Sequence, residues 1–120
     1  MKLRIKHNSL RYRLNRPDVA QLLKQGYLKE IVNFGDDELV YVLQCAGKDQ
    51  LAADFKNNIV TVYMPKKMVK ELANTDRVGF EQNGKLHLLI EKDFTCLDNV
   101  DEDQSDNYPN PLAMVNHEQD

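Results

Sequence analysis

The chain has 120 residues, 42% of them apolar and 29% charged, with a net charge of −3. That is the size and composition of a single domain with one buried core. No apolar run approaches the roughly eighteen residues of a membrane span, and Cys45 and Cys96 make neither a metal spacing nor a disulfide framework.

Residues 1–8 alternate charged and apolar groups without an apolar core, so no signal peptide is expected. A bacterial-type cytoplasmic location with reduced thiols is the default expectation. Leu3 and Ile5, then Leu10, Tyr12 and Leu14, alternate with polar residues as half-buried strands do. Their parity changes between Ile5 and Leu10, which requires a tight turn around His7-Asn8-Ser9. A helix follows, with Asn15 as cap, Pro17 and Asp18 in its first turn, Val19, Leu22 and Leu23 inward, and Gly26 as its stop. Leu28–Phe34 and Leu39–Leu43 read as strands across Gly35-Asp36-Asp37.

The order then recurs. Leu51–Lys56 and Ile59–Met64 pair across Asn57-Asn58, Pro65 opens a second helix with Met68, Val69 and Leu72 inward, and Arg77–Glu81 and Lys85–Glu91 form a hairpin over Asn83-Gly84. Leu10, Tyr12, Leu14, Val19 and Leu22 align with Val60, Val62, Met64, Val69 and Leu72. A slightly smaller offset lays Val32 and Phe34 on Val78 and Phe80, and Leu39, Tyr41 and Leu43 on Leu86, Leu88 and Ile90. Two copies are too few for a solenoid and point to a two-fold duplicated domain. The expected fold class is α+β: duplicated β-β-α-β-β units, mostly antiparallel, with two helices. The domain spans 1–97, its repeats about 1–45 and 51–92, and an irregular acidic tail fills 98–120.

Charge is divided unevenly. Lys2, Arg4, Lys6, Arg11, Arg13 and Arg16 lie in the first sixteen residues with no acid among them. Asp93, Asp98, Asp101, Glu102, Asp103 and Asp106 lie in residues 93–106 with no base. A turn at Asn8-Ser9 sets Lys6 against Arg11 and Arg4 against Arg13; a turn one residue earlier sets Arg4 against Arg11 and Lys2 against Arg13. Either register stacks like charges on the face away from Leu3, Ile5, Tyr12 and Leu14, an arrangement that costs energy unless an anion answers it. Lys2, Arg4, Lys6, Arg11 and Arg13 are therefore the candidate anion-binding residues, guanidinium forks suiting phosphate or carboxylate. The tail carboxylates Asp98, Asp101, Glu102, Asp103 and Asp106 are the chain's own candidates to neutralise them, with Tyr108, Leu112 or Met114 as apolar anchors. An acidic net charge and the lack of interleaved aromatics argue against nucleic acid.

The remaining motifs carry no chemistry. The acidic tail lacks the glycine and closing glutamate of an EF-hand loop. Lys66, Lys67 and Lys70 read as a solvated helix face, His87 as a surface residue, and Cys96 as a small buried hydrophobe without a histidine base nearby in sequence. No cofactor, metal or catalytic residue is expected.

The segments Met1-Lys-Leu-Arg-Ile, Asn8-Ser-Leu-Arg-Tyr-Arg-Leu14, Val19-Ala-Gln-Leu22, Glu91-Lys-Asp-Phe-Thr-Cys-Leu97 and Glu102-Asp-Gln-Ser-Asp-Asn-Tyr-Pro-Asn-Pro111 resemble a family of small bacterial proteins, a domain of unknown function. The resemblance covers almost the whole chain. It implies that the tail belongs to the domain's design, and it implies no activity. Two functions remain as expectations: a non-catalytic module binding a small anion or a partner protein, or a metal-dependent phosphoester or triphosphate hydrolase using the basic strands and tail carboxylates.

Overall fold

A computed structural model describes residues 1–94 and Tyr108. Among the described residues the order is β1 (Lys2–Lys6), β2 (Ser9–Leu14), α1 (Arg16–Gln25), β3 (Tyr27–Asn33), β4 (Glu38–Ala46), β5 (Ala52–Lys56), β6 (Ile59–Pro65), α2 (Lys66–Asn74), β7 (Gly79–Gln82) and β8 (His87–Lys92). Each half runs strand, strand, helix, strand, strand, and the fold is α+β. The expectations for 98–120, and those for Cys96, Leu112 and Met114, lie outside the described residues.

Local chemistry sets the element ends. Asn15 accepts a hydrogen bond from the Asp18 N–H at 2.9 Å while the Asp18 carboxylate accepts one from the Asn15 N–H at 3.0 Å. This reciprocal box supplies partners for the donors that a helix start leaves open. Gly26 closes α1 at φ 86°, a conformation that costs glycine nothing. Asn57 and Asn58 both take positive φ, 52° and 66°, as a two-residue hairpin turn of the I′ kind requires. The Asn83-Gly84 hairpin differs from expectation: Gln82 pairs with Leu88, so the loop is longer than two residues. Its residues are drawn sideways instead, with the Asn8 side-chain amide donating to the Lys85 carbonyl and His87 N–H donating to the Asn8 carbonyl at 3.0 Å.

The hairpins then exchange partners. One sheet has the order β1-β2-β8-β7 and the other β3-β4-β6-β5. Each sheet takes one hairpin from each half, joined at its centre by a parallel pair, β2 with β8 and β4 with β6. The other four pairings are antiparallel. Swapping β1–β4 for β5–β8 converts one strand order into the other.

Registers agree with most of the sequence alignment. Leu10 and Tyr12 sit beside Leu88 and Ile90, and their counterparts Val60 and Val62 sit beside Tyr41 and Leu43. Val32 and Phe34 do not match Val78 and Phe80. Phe80 pairs with Ile90, whereas Leu43, the counterpart of Ile90, pairs with Leu28. The seven-residue β3 runs past the core where the four-residue β7 stops, and Phe34 is left 70% exposed.

The core lies between the sheets. Tyr12 and Ile90 from one, and Leu43 and Val62 from the other, are all fully buried, and Leu22, Val69 and Leu72 of the packed helices join them. Tyr12 packs edge-on against Tyr41 with centroids 6.2 Å apart, and its hydroxyl donates to the Val42 carbonyl at 3.1 Å. Burial pushes the Tyr12 phenol well above its ordinary pKa. Val60, aligned in sequence with the buried Leu10, is only half-buried, and its cross-strand neighbour Phe55 on the edge strand is exposed.

Candidate anion-binding face

The turn falls on His7-Asn8, with His7 at φ 51°, which selects the second of the two registers. Arg4 faces Arg11, Lys2 faces Arg13 and Lys6 faces Ser9. Leu10, Tyr12 and Leu14 take the buried side, so strand alternation places all five basic residues on the outer side of the first sheet. The structure brings together the whole basic set named from the sequence.

The sheet's own carboxylates enter this face from β8. The parallel β2–β8 pairing places Glu91 beside Arg13 and Leu89 beside Arg11. Glu91 reaches diagonally to Arg11, Oε1 to Nε at 2.9 Å. That oxygen is sealed from solvent and, among the described residues, has no aligned hydrogen-bond donor, so charge holds it beside Arg11. Asp93, whose N–H donates to the Leu14 carbonyl at 2.8 Å, lies 2.8 Å from Lys2 Nζ. The hydrogen bond from Lys2, aided by the charges of Lys2, Arg13 and the amino terminus, holds the Asp93 carboxyl below the usual aspartate range against the opposing pull of desolvation.

Gly79 makes Glu91's position possible. The two residues are cross-strand partners, and a Cβ on Gly79 would stand 2.4 Å from the Ile90 carbonyl oxygen and 3.0 Å from Glu91 Cγ. Glu81 and His87 complete this side of the sheet with a hydrogen-bond contact of 2.9 Å between Oε1 and Nε2.

The sequence left Glu91 unassigned. Its alternation with Leu88 and Ile90 already put it on the outer side, but only the parallel pairing shows that β2 is its neighbour. The corresponding face of the second sheet lacks the basic cluster. There Asp54, Thr61 and Tyr63 replace Arg4, Arg11 and Arg13, and the Tyr63 hydroxyl donates to Asp54 at 3.0 Å. That hydrogen bond, with desolvation and the Asp54 charge, raises the Tyr63 pKa.

Other residues remain apart. Lys66, Lys67 and Lys70 lie exposed on α2, and Cys45 is a free, half-buried thiol. Among the described residues no three His, Cys, Asp or Glu side chains converge on a possible metal position. No helix of the described residues is long and apolar enough to cross a membrane. An open cleft of about 720 Å³ lies at the helices, floored by Leu14, Val19, Leu23 and Leu72, with Asp93 at its border. Tyr108, one of the three alternative apolar anchors for the tail, is 98% exposed. The candidate tail residues Asp98, Asp101, Glu102, Asp103 and Asp106 lie outside the described residues.

The chain belongs to a family of unknown function, DUF7009, whose family model matches residues 1–112. No curated protein and no solved structure matches it.

Proposed function

We propose that the chain is a non-catalytic binding module that recognises an anionic group, phosphate or carboxylate, on the outer face of its first sheet. The carrying observation is the stacking of Arg4 on Arg11 and Lys2 on Arg13 across one hairpin. Among the described residues the five cations share this face with the carboxylates of Glu81, Glu91 and Asp93. Like charges directly opposite across a sheet repel, and an anion bound between them offsets that repulsion. Guanidinium groups add directional, charge-assisted hydrogen bonds.

Glu91 gives the face a second property. It fixes Arg11 and competes for it, so the ligand must offer more than a single weak carboxylate. Phosphate or a polycarboxylate meets that demand. The acidic stretch from Asp98 to Asp106 is the chain's own polycarboxylate, and it competes for the same face by virtue of its charge and its tethering.

The test is a thermal-shift titration with inorganic phosphate, pyrophosphate and citrate, matched in ionic strength with chloride because surface attraction is screened by salt. A rise in melting temperature that an Arg4→Ser, Arg13→Ser variant loses and a Lys67→Ser variant keeps supports the reading. Equal shifts in all three proteins, or none in the wild type, sink it. Removal of residues 98–120 strengthens phosphate binding if the tail competes.

A further inference from the structure

The second sheet ends, among the described residues, in a strand with one unpaired edge. Among the described residues β3 is one of four edge strands, and with seven residues it is the longest, against five for β1, five for β5 and four for β7. The other edges are blunted in the usual ways. β1 carries Lys2, Arg4 and Lys6, β5 ends in Asp54-Phe55-Lys56, and β7 is short. β3 also carries Lys29 and Glu30, but beside them Tyr27, Ile31 and Val32 are exposed, Ile31 by 52%.

The hydrogen-bond parity of this edge is fixed. Cys45 N–H donates to the Gly26 carbonyl at 2.8 Å and Phe34 N–H to the Asp37 carbonyl at 2.8 Å. Both pairs lie on the β3–β4 register that matches Leu28 with Leu43 and Val32 with Leu39. Antiparallel ladders alternate, so Leu28, Glu30 and Val32 spend their main-chain groups on β4. Tyr27, Lys29, Ile31 and Asn33 turn theirs outward.

We propose that this edge pairs with the same edge of a second copy of the chain, antiparallel and centred on Ile31. A two-fold axis at Ile31 sets Ile31 against Ile31, Lys29 against Asn33 and Glu30 against Val32. Centring one residue earlier opposes Glu30 to Glu30, and two earlier Lys29 to Lys29, both like-charge pairs. In the Ile31 register the outward groups of Lys29, Ile31 and Asn33 meet those of the partner. The apolar row Ile31, Val40, Ile59, which crosses β3, β4 and β6, then continues into the same row of the second copy. The two four-stranded sheets become one of eight strands with a shared apolar band. The proposed anion face lies on the other sheet and stays open, so this inference stands or falls independently of it.

Sedimentation equilibrium of the full chain, from micromolar to millimolar concentration, provides the test. The wild type forms a dimer, and Ile31→Lys, which brings two like charges together at the axis, is monomeric with an unchanged far-UV spectrum. A second variant reads the register without relying on that substitution. Ile31→Cys in a Cys45→Ser, Cys96→Ser background oxidises to a disulfide-linked dimer, since facing Cα atoms in a hydrogen-bonded pair are about 5.5 Å apart and within reach of a disulfide. A wild type that stays monomeric throughout overturns the proposal, including the case in which the edge receives a strand from a different protein. So does a dimer that Ile31→Lys leaves intact, or one that fails to cross-link through position 31.

Discussion

Gln82 and the main chain of Leu51 form a closed amide pair: Leu51 N–H donates to Gln82 Oε1 at 3.0 Å, and Gln82 Nε2 donates to the Leu51 carbonyl at 2.7 Å. The contact joins the last residue of β7 in the first sheet to the residue preceding β5 in the second. Leu51 itself is buried, so its main-chain groups have little access to water. Replacing Gln82 by alanine strands them, and unsatisfied buried groups cost about 1–3 kcal/mol. Urea unfolding of Gln82→Ala shows a loss in that range with an unchanged slope against denaturant.

Leu14 is the second test of the core. It is 1% exposed and ends β2, where the hairpin meets the helices. Leu14→Ala lowers stability by about 2–5 kcal/mol, through lost transfer energy and the cavity left behind. A variant as stable as the wild type in urea contradicts the inward placement of Leu10, Tyr12 and Leu14.

Gly79 and Gly47 make a matched pair. A methyl group at Gly79 meets main-chain atoms of Ile90 and Glu91, the nearest at 2.4 Å, whereas nothing lies within 4 Å of one at Gly47. Gly79→Ala forces β7 away from β8 and destabilises by about 1–3 kcal/mol or more. It also shifts Glu91 relative to Arg11. Gly47→Ala leaves the unfolding midpoint unaltered within a few tenths of a kcal/mol, as surface substitutions away from such features do (about ±0.5 kcal/mol).

Acid sensitivity follows from Asp93. Its folded pKa is depressed below the ordinary 3.8, so the unfolded chain takes up this proton first as pH falls. The stabilisation is present in full above the unfolded value and is lost as pH drops through the folded one. Asp93→Asn and Lys2→Ala each flatten the stability profile below about pH 4, and the double variant is no flatter than either alone. Additive effects in the double variant separate the two residues and refute the pairing.

Tyr12 contributes to the alkaline side. Its phenol stays protonated in the fold above the pH at which the unfolded chain ionises, about 10, so stability falls as pH rises past that point. Tyr12→Phe removes this residue's share of the decline, beside that of Tyr41 and Tyr63, and takes the phenol's hydrogen bond from the Val42 carbonyl. The variant is less stable at neutral pH and has a flatter alkaline limb.

Much of the architecture was readable from short-range signals. Asn15 and Asp18 mark a helix start, Gly26 a stop and Asn57-Asn58 a turn, because each acts on its immediate neighbours. The alternation of Leu10, Tyr12 and Leu14 with Arg11 and Arg13 was enough to place the basic face. What the chain concealed was which hairpins share a sheet. Parallel pairs such as Tyr12 with Ile90 and Val62 with Leu43 join residues with no turn between them to announce the match. Glu91 was missed for that reason, as was the role of Gly79 in giving it room. Phe34 was misaligned because β3 and β7 differ in length, which apolar spacing alone does not reveal.

The exchange of hairpins also bears on how the chain can be made. During synthesis from the amino terminus, β1 and β2 leave the ribosome early, yet their sheet lacks half its strands until Gly79–Lys92 have followed. The N-terminal half presents two hairpins with apolar flanks and no sheet to join. Segments in that condition are exposed to premature association, and pairings so distant in sequence close slowly. The first sheet is therefore completed only when nearly all the described strands have been made, even though the domain is small.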